Sequence, residues 1–344
     1  MFQVVAIAGI VVLIALLALG YYLLRQLPHK PVPADFHCYD TDQGSYVTLE
    51  APPQAFGIGL SYAAHIEETA SKFDPNASPP IFRKHPRALV RTGAEVAMPG
   101  PAELIAAAEA LEPGLAVRLQ ELPGELSALL DYEGEMGFVL LRDIDPASLD
   151  DPGFAPDLGF FIGNDVSART LAILGEGQAT RFDFWGASKS FPGFMPVTDR
   201  AWVPKQAKPN GIPRVVIETT VDGELRQQQS TDNLIYTPLQ MLRFIHAKYP
   251  DAPLSKGTLV LTGTPGGVAL RTPRWLARLS DLLGVGRFKK LSAKLNGDTS
   301  RFLSPGTTVL VRGQGLGEVG VQITGARRFV PTRNAPRPTS SRRL

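Results

Sequence analysis

Cysteine is almost missing from this 344-residue chain. Cys38 stands alone, so no disulfide can form within the chain, and no set of thiolates exists to hold zinc. A charge imbalance is missing too. Lys and Arg number 35 against 33 Asp and Glu, a formal net charge of +2, so nothing in the overall balance argues for nucleic acid as partner. No G-x-G-x-x-G opens a helix, no Walker motif is present and no segment repeats, which argues against a dinucleotide-binding unit and a solenoid. Glycine (33) and proline (30) are plentiful, and both favour turns and short strands over a helical bundle.

One long apolar run is present. Phe2 to Leu24 is nearly all apolar and carries no charge. About 22 residues rising about 1.5 Å each match the roughly 30 Å hydrocarbon core of a bilayer. Tyr21 and Tyr22 fall where interfacial anchors sit, and neither a positive n-region nor a small-x-small cleavage site marks a signal peptide. The expectation is a transmembrane anchor over 1–25. Arg25, His29 and Lys30 follow it and no Lys or Arg precedes it, so the positive-inside rule predicts a single-pass membrane protein with its remainder cytoplasmic. Residues 26–54 read as linker and lead-in, stiffened by Pro28, Pro31 and Pro33.

Beyond the linker, Ala55–Leu60 reads as a strand entering a helix over about Ala63–Phe73, followed by a loop from Asp74 to Pro80 and a helix over Ala102–Leu111. Short runs rich in Val, Ile, Thr and Phe then recur between Gly, Pro, Asp and Asn: Met136–Leu141, Leu158–Ile162, Arg214–Val221, Thr258–Thr262, Thr307–Val311 and Gly320–Ile323. Asp222-Gly223 is a hairpin turn by type, and Pro238–Tyr249 has helical period. The pattern predicts a strand-dominated α+β domain. Two segments stand apart. In 271–297, Trp275, Leu276, Leu279, Leu282 and Leu283 share one helical face, and Phe288, Leu291 and Leu295 continue among lysines. This suits an interfacial helix lying on a membrane, or a helix packed on its own domain with a solvated basic face. The tail 327–344 is basic, rich in Pro and Ser, and reads as disordered.

The chemistry-bearing residues are spread along the chain. Glu133 and Glu135 flank Gly134 in a strand-like stretch, and residues two apart on a strand face the same way. Two such carboxylates resist joint ionisation unless a cation lies between them. With Asp165, in Gly-Asn-Asp, they form a hard oxygen set suited to Mg²⁺, Mn²⁺ or Ca²⁺, although acidic pairs are also common on solvated edge strands. His65 and Glu68 are three apart, neighbours on a helix face; a carboxylate beside an imidazole orients it and raises its basicity. Lys189, in Trp-Gly-Ala-Ser-Lys-Ser-Phe, could steady an enolate or snorkel to the surface. Thr264, in Leu-Thr-Gly-Thr-Pro-Gly-Gly-Val, lies in a turn able to hold an anion.

Taken in order, seven stretches between about Gly57 and Val321 resemble the fumarylacetoacetate hydrolase family. They are Ser-Tyr-Ala-Ala-His-Ile-Glu-Glu, Asp-Tyr-Glu-Gly-Glu-Met-Gly, Gly-Asn-Asp-Val-Ser-Ala-Arg, Ser-Lys-Ser-Phe, Val-Asp-Gly-Glu-Leu-Arg-Gln, Leu-Thr-Gly-Thr-Pro-Gly-Gly-Val and Gly-Leu-Gly-Glu. The resemblance implies a mixed β-sandwich roll over 55–326, with 271–297 as an amphipathic basic insertion, and a homodimer. It implies metal ligands at Glu133, Glu135 and Asp165 for Mg²⁺ (or Mn²⁺ or Ca²⁺), and catalytic roles for His65, Glu68 and Lys189. It implies substrate contacts at Thr264, Arg169, Lys84 and Tyr62. The activity so implied is metal-dependent hydrolysis of a C–C bond in a β-diketo acid, with water activated by His65 and Glu68 and a metal-held enolate leaving. Three departures bear on substrate identity: Ser61 where Asn is common, Thr170-Leu-Ala after Arg169 in place of Asp-Leu-Gln, and Thr307 where Asp is usual. The same ligands also serve 2-oxo acid decarboxylases, isomerases and hydratases, and a non-catalytic membrane-bound scaffold is the alternative of another class. The expected partners are a small 2-oxo or β-diketo acid and the membrane, through the N-terminal helix and 271–295, with no nucleic acid.

Overall fold

A computed structural model describes residues 31–69, 71 and 73–326. The strands in chain order are β1 (His37–Tyr39), β2 (Gly44–Thr48), β3 (Ala55–Ile58), β4 (Ile81–Lys84), β5 (Leu89–Arg91), β6 (Glu95–Ala97), β7 (Leu130–Asp131), β8 (Gly134–Leu140) and β9 (Leu158–Asn164). They continue as β10 (Ser167–Ala168), β11 (Met195–Val197), β12 (Arg200–Pro204), β13 (Gly211–Pro213), β14 (Val216–Val221), β15 (Glu224–Ser230), β16 (Leu259–Leu261), β17 (Thr308–Gly313) and β18 (Gly317–Thr324). The helices are α1 (Ala63–Glu68), α2 (Pro101–Leu111), α3 (Leu115–Gln120), α4 (Arg169–Leu174), α5 (Arg181–Ser188), α6 (Pro238–Lys248), α7 (Arg274–Leu282) and α8 (Arg287–Leu295).

A nine-stranded mixed sheet runs β2-β12-β9-β8-β16-β3-β4, with β11 joining β9 to β5. A five-stranded sheet runs β15-β14-β17-β18-β6. The central strands β8 and β9 are buried at every residue, which explains their unbroken apolar runs where a half-exposed strand would alternate. Between the sheets lie Phe138, Phe160, Ile162, Val309 and Val311, while Phe161 packs over Gly137 on the other face of the large sheet, all of them nearly closed to solvent. Each such residue stabilises the fold by about 1.5–3 kcal/mol relative to exposure. Gly134 has a steric reason: a Cβ there would stand 2.1 Å from Thr219 Oγ1 on β14 of the second sheet.

The local signals act as their chemistry suggests. β14 and β15 form the hairpin, with Asp222 and Gly223 both at positive φ (49° and 81°). Thr237 and Gln240 form a capping box that starts α6 at Pro238. The helix expected to reach Phe73 ends sooner, at Glu68. Thr69 folds its hydroxyl back onto the His65 carbonyl at 2.8 Å, and the Ser71 N–H reaches the Ile66 carbonyl, closing the last turn.

The membrane expectation is corrected. Among the described residues no helix is long and apolar enough to cross a membrane. Phe2–Leu24, on which that expectation rested, lies outside the described residues, as does the tail 327–344. The described residues form a strand-rich α+β roll, and nothing in them supports the expected transmembrane helix or the single-pass membrane localisation. The segment 271–297 forms two helices. In α8, Leu291 is fully buried, and Arg287 bonds Glu112 and the Leu174 carbonyl. On α7, Trp275 (67%) and Leu282 (83%) are exposed.

Candidate metal and acid–base site

Strand order brings the expected residues to one end of the large sheet. β8 pairs antiparallel with β9, setting Gly134 opposite Asn164 and Glu135 opposite Gly163. Its other neighbour, β16, sets Leu261 opposite both Gly137 of β8 and Gly57 of β3. Glu133 and Glu135 at the start of β8, Asp165 just past β9, Thr264 past β16 and His65 past β3 therefore converge. Glu133 precedes the regular strand, yet its N–H bonds Asn164 Oδ1 (3.0 Å) and its carbonyl accepts the Asp165 N–H (2.8 Å).

Glu133, Glu135 and Asp165 are all buried, and each offers an oxygen within 4.8 Å of the others. Lys189 Nζ donates to Glu133 Oε2 and Asp165 Oδ2, both at 2.7 Å. Lys84 Nζ bonds Asp165 Oδ1 and the carbonyls of Lys189 and Phe194. Arg169 Nε donates to Asp131 Oδ2 at 2.8 Å, and its Nη2 stands 2.6 Å from Glu133 Oε1, an ion-pair contact off the hydrogen-bonding direction. Burial alone would raise the Glu133 carboxyl, but the Lys189 ammonium and the Arg169 guanidinium outweigh it and hold it down at about 2. Glu135 is pushed the other way: burial, then the charges of Asp165 and Glu133, lift it well above the carboxylate range. Its Oε2 accepts the Gly263 N–H at 2.7 Å. Burial lowers Lys84 despite Asp165, whereas in Lys189 the neighbouring carboxylates overcome burial and raise it.

This imbalance bears on what the site can hold. Four buried carboxylates (Asp131, Glu133, Glu135 and Asp165) face three buried cations (Lys84, Arg169 and Lys189). Glu135 is the acid that no described lysine or arginine bonds directly. A hard divalent cation among the three oxygens would relieve that repulsion, and an all-carboxylate donor set suits such an ion. The residues fit a metal.

His65 Nδ1 stands 3.4 Å from Glu68 Oε1. Glu68 is fixed in turn by the Gly267 N–H (2.8 Å to Oε2) and the Val268 N–H (3.1 Å to Oε1) of the turn after β16. A narrow cleft of about 20 Å³ is lined by His65, Glu133, Glu135, Arg169, Lys189 and Thr264. Ile58, Leu60, Phe82 and Trp185 supply its apolar lining. A wider groove of about 400 Å³, edged by Tyr46, Asp199, Arg200 and Glu318, includes none of the acid cluster, so the chemistry belongs to the narrow cleft.

Two expected substrate residues sit behind this surface. Lys84 is buried against Asp165, and Tyr62 is fully enclosed, with its hydroxyl unpaired and its ionisation raised by burial and then by Glu135. Sequence reasoning passed over two others. Asp131 accepts from the N–H groups of Tyr132, Ala269 and Leu270 as well as Arg169, tying the acid strand to the turn after β16. Gln227, on the second sheet, accepts the Gly134 N–H (2.9 Å) and donates to Thr264 Oγ1 (2.8 Å) and the Pro265 carbonyl (3.0 Å). Each was quoted within a matching stretch without a role; only its reach across the fold reveals one.

A strand-rich roll carrying a buried carboxylate trio, lysines among it and a histidine–glutamate pair nearby offers a candidate site for a hard cation. Residues 54–324 match the fumarylacetoacetate (FAA) hydrolase C-terminal family, and the chain belongs to it. It is 29% identical over 221 residues to the mitochondrial oxaloacetate tautomerase oaa1 of Schizosaccharomyces pombe, covering 63% of this chain and 82% of that protein. It is 28% identical over 151 residues to a mitochondrial oxaloacetate decarboxylase of Dictyostelium discoideum, covering 43% of this chain and 63% of that one. Among solved structures, fumarylpyruvate hydrolase from Pseudomonas aeruginosa, in complex with Mn²⁺ and pyruvate, is similar at a TM-score of 0.48 and 22% identity, covering 86% of this chain and 97% of that one. Matches to curated relatives span 54% to 82% of those proteins' own lengths.

Proposed function

We propose that this chain is a metal-dependent hydrolase that cleaves the C–C bond of a β-diketo acid. The observation that carries it is that His65, held by Glu68, opens onto the same cleft as Glu133, Glu135 and Lys189, with Asp165 joined to them through Lys189 Nζ. Glu133, Glu135 and Asp165 would hold the divalent metal, which would supply Lewis-acid polarisation of the substrate oxygens and a template for their orientation.

The chain's own groups supply the rest. With Nδ1–H turned to Glu68, the His65 ring has Nε2 free to accept a proton from water. The hydroxide so formed adds to the remote carbonyl of an R–CO–CH₂–CO–COO⁻ acid. The bond from that carbonyl carbon to the CH₂ breaks, its electron pair passes into the enolate of pyruvate, and the His65 proton returns to the CH₂ carbon. R–COOH and pyruvate account for every atom of substrate and water. The ammonium of Lys189 favours the developing enolate, and Thr264 offers a hydroxyl at the cleft wall. A cleft of about 20 Å³ has room for about one water. Substrate entry therefore requires Lys189 to release a carboxylate and α1 to lift.

A second reading rests on the oxaloacetate tautomerase and decarboxylase relatives. The same base could move a proton between C3 and the enol oxygen, with no water added. Calorimetry of Mg²⁺ and Mn²⁺ binding to the wild type and to Glu135→Ala tests the site, and product analysis with a 2,4-dioxo acid and with oxaloacetate tests the reaction. Pyruvate and a second acid from the dioxo substrate support hydrolysis. Enol-to-keto conversion or CO₂ release without such cleavage replaces it with the second reading, and loss of neither binding nor activity in Glu135→Ala overturns both.

A further inference from the structure

We infer that the substrate's remote substituent is uncharged and apolar, an alkyl or aryl group, and is not a second carboxylate. This inference rests on the proposed 2-oxo acid chemistry and concerns the half of the cleft that this chemistry leaves unused. Besides its polar groups, the cleft is lined by Ile58, Leu60, Phe82 and Trp185. Phe82 marks the seam. Its ring lies 5.5 Å from Lys189 Nζ on the polar side and meets Trp185 edge-on at 6.2 Å on the other.

The wall is fixed in place. Trp185 is braced by Phe182 at 5.9 Å, and Gly59 passes so close that a Cβ would come within 2.8 Å of the indole ring. A diacid needs a second cation where its far carboxylate comes to rest, because a buried, unpaired carboxylate costs several kcal/mol. Among the described lining residues the cations are Arg169 and Lys189, and each already meets two carboxylates. His65 faces Glu68. Two arginines that do not line the cleft are stacked on aromatic rings: Arg181 on Trp185 at 5.1 Å and Arg83 on Tyr249 at 4.3 Å. An apolar substituent meets apolar side chains there and asks for no counter-charge.

The test uses the full chain loaded with Mn²⁺. Oxalate, which copies only the metal-facing end of the substrate, is titrated by calorimetry. Then kcat/KM is measured for acetylpyruvate and its phenyl analogue and for the diacids fumarylpyruvate and succinylpyruvate, and each acid's competition with oxalate is read as well. The expected result is a preference of tenfold or more for the uncharged substituents, and a swing of tenfold or more towards the diacids in Trp185→Arg. Oxalate binding together with equal or better use of the diacids overturns this inference and leaves the proposed chemistry standing. Failure to bind oxalate overturns both. Should Trp185→Arg not fold, the wild-type ratios and competition constants decide alone.

Discussion

The acid cleft and the helical insertion treat their side chains in opposite ways. In the cleft, one carboxylate, Glu68, receives two backbone N–H groups and a histidine, and another, Asp131, receives three N–H groups and an arginine. On α7, Trp275, Leu276, Leu279 and Leu282 lie exposed. The cleft spends polar groups on holding one geometry, at some cost in stability, whereas the exposed face of α7 places almost no demand on the fold. Substitutions in the two regions should separate function from stability accordingly.

The largest effect is expected at Glu135. Glu135→Gln should abolish Mg²⁺ and Mn²⁺ binding and all metal-dependent turnover, read by calorimetry and rate. Because burial and like charges already press this carboxyl towards its neutral form, the same variant should stabilise the metal-free protein. A gain of about 1 kcal/mol, roughly 2–4 °C in Tm for a chain of this size, is the expected scale. A metal-free Tm that falls would mean that Glu135 is not the strained member of the trio.

Next comes the base. His65→Gln should lower kcat by about 10²–10⁴-fold, the range of general acid–base catalysis, with metal affinity within about threefold of wild type. Glu68→Gln should cost less in kcat, since an amide oxygen can still accept from Gly267 and Val268. A shared loss of metal binding in His65→Gln would instead make the histidine part of the cation site.

Gln227→Ala probes positioning. It strips the partner from the buried Gly134 N–H and removes the amide that donates to the Thr264 hydroxyl, leaving that hydroxyl the Gly134 carbonyl at 3.2 Å, so a stability loss of about 1–3 kcal/mol is expected. KM should rise more than kcat falls, because Thr264 is held by one contact in place of two while the contacts of His65 and Lys189 are unchanged. An equal fall in kcat with KM unchanged would contradict the positioning role. Gln227 also illustrates how much of the site was legible in the sequence. Glu133, Glu135, Asp165 and Lys189 could be picked out because acids and a lysine amid apolar stretches are chemically conspicuous, and the structure brings them together. A glutamine on a strand is not conspicuous; its role arises only where β15 and β14 of the second sheet cross the start of β8. Apolar runs rich in β-formers located β3, β8, β9 and β16, four of the nine strands of the large sheet, and passed over β2, β4, β5, β11 and β12. The sequence pattern misjudged the length of α1, whose last turn is closed by the Thr69 hydroxyl on the His65 carbonyl together with the Ser71 N–H on the Ile66 carbonyl. The apolar wall was invisible as a unit, because Ile58, Leu60, Phe82 and Trp185 come from separate segments.

The smallest effects belong to the insertion, and they split it. Arg287 donates to Glu112 at 2.8 Å and to the Leu174 carbonyl at 2.9 Å, and Lys290 reaches Glu176 at 3.2 Å, so α8 is pinned around the buried Leu291. The Glu112 carboxyl is about a third exposed, which limits the ion pair itself. Arg287→Ala should therefore cost about 1 kcal/mol, a Tm loss of roughly 2–4 °C. Trp275→Ser and Leu279→Ser on α7 should leave stability within about 0.5 kcal/mol, as surface changes do. One link ties this region back to the cleft. The Thr272 N–H donates to the Glu68 carbonyl at 3.3 Å, and Lys294 donates to the Arg271 carbonyl at 2.6 Å. Loosening α8 should thus reach α1 through Arg271–Thr272, whereas altering α7 should not. A rise in KM of about twofold in Arg287→Ala, without one in Trp275→Ser, would separate the pinned half of the insertion from the exposed one. Equal effects from the two would show that α7 and α8 bear on α1 as a single unit.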